Sequence, residues 1–494
     1  MLTQLEPEEF RALGEVFERA GYNGPALLDT LGPIELPTRP GAELPYFFHL
    51  TGQGRPVDSL IRLFLLGVPV EAEAAGRVLE PVPLAVWARA GLLEVAGGQA
   101  VARVKLMPFR DRLLAMDQPE EAGVGRRRDQ VMGLTASSVT LADFTIRLPA
   151  RKALDLGTGC GLQALLLARH SPEVWASDCT SRALNFAAFN AGLNACGNVR
   201  FLKGDGFAPV CGERFGLVVS NPPFAITPAR RYLYRDSGLP ADGFCQRLIQ
   251  EAPRFLEEGG FCQVVCDWVH PAGQDYKERL AGWFEGSGCD AWIWRMATQE
   301  VADYAHMWIR DTERPTARTA ARVYEEWMSY YRREGIEAVS SGVIVLRRRS
   351  AGGNWIRFDD LPDGTTGPIG GAVASSFRRR DFLEAAKDDR RLMEETFRLS
   401  PDLRLQQQCE WAEGGWRIQS AQVRLERGLR YSGNVDRNAL ALLARCDGQR
   451  TLGQVVAELA ASVGAEVERI APQSVALVRQ LVERGYLLPA GDDV

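Results

Sequence analysis

Residues 153–162 read Ala153-Leu154-Asp155-Leu156-Gly157-Thr158-Gly159-Cys160-Gly161-Leu162, and this stretch decides the fold. It predicts a short buried strand, a glycine turn and a helix that continues through Ala168. Glycines allow the backbone to turn sharply and to approach a ligand closely, because no Cβ stands in the way. The first turn of the following helix offers N–H groups without helical partners. We therefore expect a nucleotide-type binding loop at the end of the first strand of an α/β domain.

The glycine spacing and one acidic residue indicate which nucleotide the loop binds. A dinucleotide fingerprint is G-x-G-x-x-G, and Leu162 stands where its third glycine would be. Asp155 would oppose a pyrophosphate, but it would attract the α-ammonium of S-adenosylmethionine, directly or through water. The pattern resembles motif I of the class I S-adenosylmethionine-dependent methyltransferases. The resemblance implies cofactor contacts from the loop, namely Asp155, Gly157, Thr158, Gly159 and Gly161. The alternative is a glycine-rich turn without a ligand.

Three later segments each predict a strand that ends at a polar residue. The first, Val174–Asp178, ends in a carboxylate that can accept from both ribose hydroxyls, as in other doubly wound folds. The second ends at Asp205 and Gly206, where the carboxylate is placed to accept from the adenine amine. The third, Phe215–Ser220, leads into Asn221. Each acid alone is more often a turn residue or helix cap. The ordered set predicts a cofactor site, and it includes Asn221.

Composition narrows the class of protein. The 494 residues predict two to four domains, because one core rarely serves so long a chain. A net charge of −5 argues against a whole-chain polyanion binder. We find no apolar run long enough to span a bilayer and no signal-like start, so we expect a cytoplasmic protein without a membrane partner. Ten scattered cysteines and four histidines predict free thiols and no metal site.

Residues 1–115 are predicted to form an N-terminal helical, winged-helix-like domain. Apolar residues at helical spacing predict helices over Glu8–Ala20 and Val57–Leu66, and two more are expected at Pro69–Leu79 and Pro83–Ala90. A hairpin is expected at 91–106 on a Gly97-Gly98 turn. Such a domain either binds nucleic acid or docks a partner, and its recognition-like stretch carries little positive charge.

Residues 116–350 are predicted to form the methyltransferase domain, with a polar linker at Glu120–Gln130. Phe261–Cys266 predicts a fifth strand, while Ala291–Met296 and Ser341–Leu346 suit the sixth and seventh, with a helix at Thr316–Arg333 between the last two. The resemblance implies a seven-stranded Rossmann-like α/β sheet whose last pair is antiparallel. Thr135 or Ser137 is expected to lie near the cofactor, although capping of the next helix is the favoured role.

The remaining chain is predicted to contain a linker at 351–394 and a C-terminal winged-helix-like domain at 395–494. The glycine-rich segment Pro362–Gly371 marks the linker. Amphipathic stretches that begin at Thr451 and Ser474 predict two helices. This domain resembles peptide-recognition winged helices more than DNA readers.

Asn221-Pro222-Pro223-Phe224 carries the predicted chemistry. A planar nitrogen has its lone pair delocalised, so two acceptors on its N–H bonds can hold it and favour the developing positive charge. The Asn221 Oδ1 and the Pro222 carbonyl would be those acceptors. The prolines fix φ, and Phe224 would stack on the acceptor plane. The alternative is a simple turn at the end of a strand.

This motif resembles that of the N-methyltransferases of planar nitrogens, and the segment 130–270 is most similar to the release-factor glutamine methyltransferases and their archaeal and eukaryotic relatives. The chain departs from that family at Phe224, where tyrosine is usual, and at Ser237-Gly238, where the family has two glycines. A protein glutamine, as in a translation factor, is the favoured methyl acceptor.

Two other functions stay open. The first is methylation of adenine N6 or guanine N2 in a structured RNA, with Arg230, Arg231 and Arg235 on phosphates; a solvated loop is the more ordinary role of these arginines. The second is a cofactor-binding protein without turnover, which the intact motif disfavours. The sequence leaves the oligomeric state undetermined.

Overall fold

The computed structural model describes residues 1–32, 43–118, 127–313 and 315–491. It divides into two compact units, one of Met1–Ala142 with Pro149–Asp359 and one of Asp143–Leu148 with Asp360–Val494. Part of the predicted linker at Glu120–Gln130, residues 120–126, lies outside the described residues, as do the last three residues of the predicted C-terminal domain. Among the described residues, no helix is both long and apolar enough to cross a membrane.

The described part of the first unit begins with six helices and two hairpins. The helices are α1 (Pro7–Arg19), α2 (Gly24–Leu31), α3 (Leu44–Leu50), α4 (Pro56–Leu60), α5 (Ala72–Leu79) and α6 (Leu84–Arg89). The strands are β1 (Val70–Glu71), β2 (Leu93–Ala96), β3 (Gln99–Ala102), β4 (Val104–Phe109) and β5 (Arg112–Asp117). The helix predicted at Glu8–Ala20 and the hairpin on Gly97-Gly98 are confirmed.

Two details of this region differ from the prediction. The helix predicted over Val57–Leu66 is α-helical only to Leu60 and continues as a π-helical turn over Ile61–Leu65. The β4–β5 hairpin was not predicted at all. The winged-helix assignment stays a prediction.

The centre of the first unit is an eight-stranded sheet. Its strands are β6 (Lys152–Leu156), β7 (Glu173–Asp178), β8 (Val199–Lys203), β9 (Phe215–Ser220), β10 (Leu256–Pro271), β11 (Cys289–Glu300), β12 (Ile336–Arg348) and β13 (Ile356–Asp360), in the order β13-β11-β12-β10-β9-β6-β7-β8. β6 to β9 are parallel, and β12 runs antiparallel to both β10 and β11. The antiparallel last pair is therefore confirmed.

The expected strand count is wrong by one. β13 lies in the segment predicted as a linker and joins the edge of the sheet beside β11. Trp292 anchors it, because its indole Nε1 donates to the Asp359 carboxylate at 2.9 Å. The Ala291 N–H also donates to the Trp355 carbonyl at 2.9 Å. These contacts pair residues more than sixty positions apart.

Helices connect the strands. They are α7 (Ala136–Phe144), α8 (Leu162–Leu167), α9 (Ser181–Leu193), α10 (Gly243–Glu251), α11 (Tyr276–Ala281), α12 (Val301–Trp308) and α13 (Ala317–Glu334). α12 and α13 lie between β11 and β12, and we call the segment Val301–Glu334 the helical insertion; its second helix confirms the one predicted at Thr316–Arg333.

The N-terminal region packs on α9. Phe10 meets Phe189 edge-on, with ring centroids 5.1 Å apart. Asn190 is fully buried, and its amide exchanges two hydrogen bonds with the Ala115 backbone, at 2.7 and 2.9 Å. An amide that satisfies a buried strand in this way fixes the N-terminal region against the sheet unit.

The second unit combines five helices with two small sheets. The helices are α14 (Gly370–Ala385), α15 (Asp389–Glu394), α16 (Arg437–Leu443), α17 (Leu452–Val463) and α18 (Val467–Arg484). The sheets have the orders β18-β14-β19 and β15-β16-β17, with strands β14 (Thr396–Leu399), β15 (Leu403–Ala412), β16 (Gly415–Leu425), β17 (Ser432–Asn434), β18 (Asp447–Thr451) and β19 (Leu487–Pro489). The two helices predicted here are confirmed as α17 and α18.

Candidate active site

The parallel strands bring three predicted residues to one edge of the sheet. Leu156 at the end of β6 pairs with Ser177 of β7 on one side and with Ser220 of β9 on the other. The residues that follow these three are Gly157, Asp178 and Asn221, so they lie side by side at this edge. Adjacent strands lie about 4.8 Å apart. The glycine loop, the ribose-type acid and the Asn-Pro-Pro-Phe segment therefore share one site.

The glycine loop has the open shape that a cofactor needs. Gly157, Gly159 and Gly161 have φ of +75°, +55° and +87°, a region that L side chains rarely adopt. A Cβ at Gly157 or Gly159 would meet no atom within 4 Å, whereas at Gly161 it would lie 3.1 Å from the Cα and Cβ of Ala187. The first two glycines thus border open space, and the third allows α9 to approach the loop.

Asp155 fastens the loop to its strand. Its buried Oδ2 accepts from the Thr158 hydroxyl at 2.6 Å and from the Ala164 N–H at 2.9 Å. Burial raises the pKa of Asp155 to about 6. Because the Thr158 hydroxyl is engaged with this carboxylate, both residues hold the loop in shape. The contacts to the cofactor that the sequence predicted for them stay predictions.

Asp178 ties the same loop to the second strand. Its Oδ2 accepts from the Gly159 N–H at 3.1 Å, and its Oδ1 accepts from the Thr180 N–H at 2.9 Å. Burial raises the pKa of this carboxyl group as well. The Thr180 hydroxyl also donates to Oδ1, at 3.2 Å. Each carboxylate oxygen has two lone-pair directions, so Oδ2 keeps one of them for a ribose hydroxyl.

Asp205 lies further out than Asp178. Its side chain is 72% exposed and forms an ion pair with Arg247 at 3.2 Å. Gly206 follows with φ of +50°, and Phe207 is buried and stacks on Phe255 with ring centroids 4.4 Å apart. The stacked ring anchors the turn, while the predicted adenine contact of Asp205 and Gly206 stays a prediction.

Asn221 uses only one side of its carboxamide for hydrogen bonding within the described chain. Its Nδ2 donates to Ser137 Oγ at 3.2 Å. Its Oδ1 is buried and has no hydrogen-bond partner among the described residues. A buried acceptor without a partner costs about 1–3 kcal/mol, and such an atom in a native site calls for a functional reason. The unsatisfied atom is the one that the sequence assigned to the methyl acceptor.

The favoured prediction was that Thr135 or Ser137 caps the next helix, and in the structure Thr135 does so together with Ser138. Thr135 and Ser138 cap one another, because the Thr135 N–H donates to Ser138 Oγ at 2.7 Å and the Ser138 N–H donates to Thr135 Oγ1 at 3.2 Å. Ser137 is left to contact Asn221, and its hydroxyl also lies 2.9 Å from that of Thr135. Ser137 is therefore a positioning residue for Asn221.

The rest of the motif is enclosed. Pro222 is buried, and Pro223 and Phe224 are half-buried. The Phe224 ring meets Trp308 of α12 edge-on, with centroids 6.5 Å apart and planes at 70°. The helical insertion thus supplies one wall of the site.

Two tyrosines of the insertion hold the backbone that follows the motif. Ile226 donates its N–H to the Tyr304 hydroxyl at 3.1 Å and accepts from the Tyr331 hydroxyl at 2.9 Å. Tyr304 in turn donates to the buried Asp267 carboxylate at 2.6 Å. Burial raises the pKa of Asp267 to about 7. We call Tyr304, Tyr331 and Asp267 the tyrosine clamp; sequence reasoning missed all three.

The three arginines after the motif lie in different environments. The Arg235 side chain is fully buried and pairs with Asp236 at 2.6 Å and with Glu313 at 2.9 Å. Arg231 pairs with Glu313 and Glu326. For Arg235 both predicted roles are wrong, because its guanidinium is buried and already paired with carboxylates. Arg231 is exposed, as the solvated-loop prediction requires, and its contact with phosphate stays a prediction. Arg230 is exposed and lies against Gly238.

The described residues contain no group of three or more His, Cys, Asp or Glu side chains that could hold a metal ion.

Comparison with known proteins agrees with this geometry. Residues 135–287 match the family model described as methyltransferase small domain. The central part of the chain is similar to methyltransferases. Residues 19–103 and 374–489 match two further models, both described as domains of unknown function (DUF7059 and DUF7782).

Similar curated proteins include two glutamine methyltransferases of Xylella fastidiosa. One is named release factor glutamine methyltransferase and is 35% identical over 147 residues, which covers 27% of this chain and 52% of that protein. The other is named ribosomal protein uL3 glutamine methyltransferase and is 36% identical over 129 residues, covering 24% and 41%. The resemblance predicted from the motifs is confirmed. The chain spans about half the length of the curated relatives it matches.

A solved structure, the YcgJ protein of Bacillus subtilis, aligns at 15% identity with a TM-score of 0.30, covering 44% of this chain and 98% of that one. The α/β methyltransferase fold with a large mixed sheet is evident from the strand order itself.

Proposed function

We propose that the chain transfers a methyl group from S-adenosylmethionine to a planar nitrogen of a protein, namely the side-chain amide of a glutamine. The observation that carries the proposal is the buried, unpartnered Oδ1 of Asn221 at the carboxyl edge of the sheet. An acceptor kept without a partner is ready for a donor that arrives with the substrate. A primary carboxamide offers such donors, because its nitrogen carries two N–H bonds.

The residues beside Asn221 fit the cofactor. Gly157 and Gly159 border open space, and the Asp178 carboxylate lies level with them. When bound, S-adenosylmethionine supplies an electrophilic methyl group. Asp178 would hold a ribose hydroxyl, and the glycine loop would enclose the amino-acid end, with Asp155 keeping the loop in shape.

The amide nitrogen gains the methyl group and then loses one N–H proton to water, because a nitrogen-methylated amide cation is strongly acidic, so no general base is needed in the proposed site. The amide nitrogen is a weak nucleophile because its lone pair is delocalised into the carbonyl group. Asn221 Oδ1 and the Pro222 carbonyl would accept from its two N–H bonds, orient it, and stabilise the positive charge that develops on nitrogen. Such fixed acceptors act best where water is excluded, and Phe224 with Trp308 closes one side of the site.

A protein acceptor is favoured over an RNA base for two reasons. Arg231 and Arg235, which the RNA alternative would place on phosphates, are already paired with acidic side chains. The relatives named above act on a release factor and on ribosomal protein uL3. We therefore propose a protein of the translation machinery as the partner. We also propose a cytoplasmic location, since the cysteines of the chain are free thiols, which suits a reducing compartment.

The decisive experiment incubates the protein with methyl-labelled S-adenosylmethionine and either a purified release factor or ribosomal protein uL3. We expect label in protein, and peptide mass spectrometry should place the added methyl on a glutamine amide. The same reaction with lysate, treated with RNase or with protease, separates the alternatives. Label that is lost with RNase would establish the RNA alternative. Cofactor binding by calorimetry without label in any fraction would indicate a protein without turnover.

A further inference from the structure

The β15–β16 hairpin of the second unit is exposed over most of its length. Its strands are joined through Glu413 and Gly414, which have φ of +51° and +82° and form a tight turn. From Arg404 to Ser420 almost every side chain is exposed. A two-stranded ribbon that packs on nothing is marginally stable in water. We call this segment the exposed ribbon.

The exposed ribbon has two different faces. The pairing places Leu405 opposite Val423, Cys409 opposite Ile418 and Trp411 opposite Trp416. The register shifts by one residue between Gln408 and Cys409, because Gln419 is an extra residue on β16. This bulge keeps Ile418 and Trp416 on the same face as Val423. One face is therefore mostly apolar, interrupted by Gln407 opposite Ala421, and Trp411 and Trp416 at its tip remain 60% and 70% exposed.

The outer edge of β15 is also free. β15 is the end strand of its three-stranded sheet, and the described chain adds no strand beyond it. Natural proteins usually block such an edge with charge, proline or a bulge on the edge strand. Leu405-Gln406-Gln407-Gln408-Cys409 contains none of these, since the bulged residue belongs to β16. Five uncharged residues thus offer a regular row of backbone donors and acceptors.

The charged residues on either side of this segment indicate which strand would pair with it. Arg404 precedes it and Glu410 follows it, each three residues from Gln407. In an antiparallel pair of identical strands centred on Gln407, Arg404 of one strand stands opposite Glu410 of the other, and the reverse pair forms as well. The same register sets Leu405 opposite Cys409 and Trp411 opposite Leu403. A single register therefore pairs opposite charges with each other and apolar residues with each other.

We propose that two copies of this chain associate through β15, antiparallel about Gln407, to form one continuous six-stranded sheet. A twofold axis through this residue makes the contact isologous, as in most protein dimers. Arg404 already pairs with Glu426 of its own chain at 2.9 Å, but a guanidinium has five N–H donors and can accept a second carboxylate. The proposal is independent of the proposed methyl transfer.

The first test is the mass of the full chain in solution, measured by light scattering after size exclusion. We expect twice 54.5 kDa for the unmodified protein. Gln407→Lys places two like charges face to face on the axis and should give 54.5 kDa. The matched control is Ser420→Lys, an exposed residue on β16 whose hydroxyl donates to Gln408 at 3.5 Å and touches neither Arg404 nor Glu410; it keeps the β15 edge intact and should stay dimeric. A monomeric unmodified protein, or a dimer unaffected by Gln407→Lys, would overturn the proposal.

The second test reports the register directly. In a Cys409→Ser background, Gln407→Cys brings two thiols together at the axis, and mild oxidation should yield a covalent dimer on a non-reducing gel. Gln419→Cys in the same background should give no more covalent dimer than the background itself. Equal cross-linking from both positions would contradict pairing through β15.

Discussion

Asn221 donates its Nδ2 to Ser137 Oγ at 3.2 Å and thereby fixes the plane of its own carboxamide. The Oδ1 on the other side of that plane is buried without a partner in the described chain. One hydroxyl thus determines the direction in which the unpaired acceptor points. A nearby hydrogen bond, from Ser220 Oγ to the Leu156 carbonyl at 2.8 Å, holds the two strand ends together beneath it.

Asn221→Ala should abolish most turnover and leave cofactor binding intact. The substitution removes an oriented acceptor from the methyl-accepting nitrogen, and the loss of one such preorganised group costs about 10²–10³-fold in kcat. The measurements are methyl incorporation into a glutamine-containing substrate and calorimetry with S-adenosylmethionine. Turnover close to that of the unmodified protein would remove Asn221 from the mechanism.

Ser137→Ala should have a smaller effect on turnover than Asn221→Ala. It keeps the Oδ1 acceptor but frees the carboxamide to rotate, so kcat should fall less than in Asn221→Ala, by about 2- to 10-fold for a hydrogen bond worth about 0.5–1.5 kcal/mol. A fall as deep as that of Asn221→Ala would give Ser137 more than a positioning role.

Asp178→Ala should weaken cofactor affinity by about 1–3 kcal/mol, because a charge-assisted bond to ribose and the loop contact to Gly159 are both lost. Asp205→Ala is the matched control: its carboxylate is 72% exposed and pairs with Arg247, so its contribution is screened and the change should be smaller. A dissociation constant for Asp178→Ala equal to that of the unmodified protein would refute the ribose assignment.

The part of the site that could be predicted from the sequence is the part encoded by neighbours in the chain. A buried strand followed by Gly157-Thr-Gly159, and acids or Asn221 directly after later strands, are local patterns. Parallel pairing then brings strand ends to one edge whatever the rest of the chain does. Local patterns therefore sufficed for the parallel strands and for the edge at which they end.

The missed features depend on contacts between distant residues. Tyr331 binds Ile226 from 105 positions away, and Arg235 pairs with Glu313 from 78 positions away. Neither tyrosine nor arginine carries a spacing signal for such a contact. The exposed ribbon was missed for another reason: the run Gln406-Gln407-Gln408 conceals the alternation of apolar and polar residues by which strands are predicted.

Tyr331→Phe should lower both stability and turnover without changing cofactor affinity. The variant leaves the buried Ile226 carbonyl without its donor, at a cost of about 1–3 kcal/mol, and it loosens the backbone that follows the motif. The shift of the urea midpoint reports stability, and methyl incorporation reports turnover. Tyr324→Phe is the control, since this tyrosine lies on the same helix α13 and is 37% exposed. Equal effects of the two substitutions would contradict the tyrosine clamp.

The pH dependence of stability should carry the signature of Asp267. Burial raises its pKa to about 7, whereas an aspartate in an unfolded chain titrates near 3.9. The folded protein therefore binds this proton more tightly, so the contribution of Asp267 to stability is greatest below about pH 4 and is lost as pH rises to about 7. Asp155, with a pKa of about 6, acts in the same direction over a narrower range.

Asp267→Asn removes that titration but keeps an acceptor for the Tyr304 hydroxyl. The melting temperature of the variant minus that of the unmodified protein should therefore rise from about pH 5 and level off above about pH 7, whatever its starting value, because only the unmodified protein must ionise a buried carboxyl. Differential scanning fluorimetry across that range measures the difference. Asp303→Asn, an exposed position on α12, should give a flat difference. A flat difference for Asp267→Asn as well would mean that Asp267 does not titrate over this range.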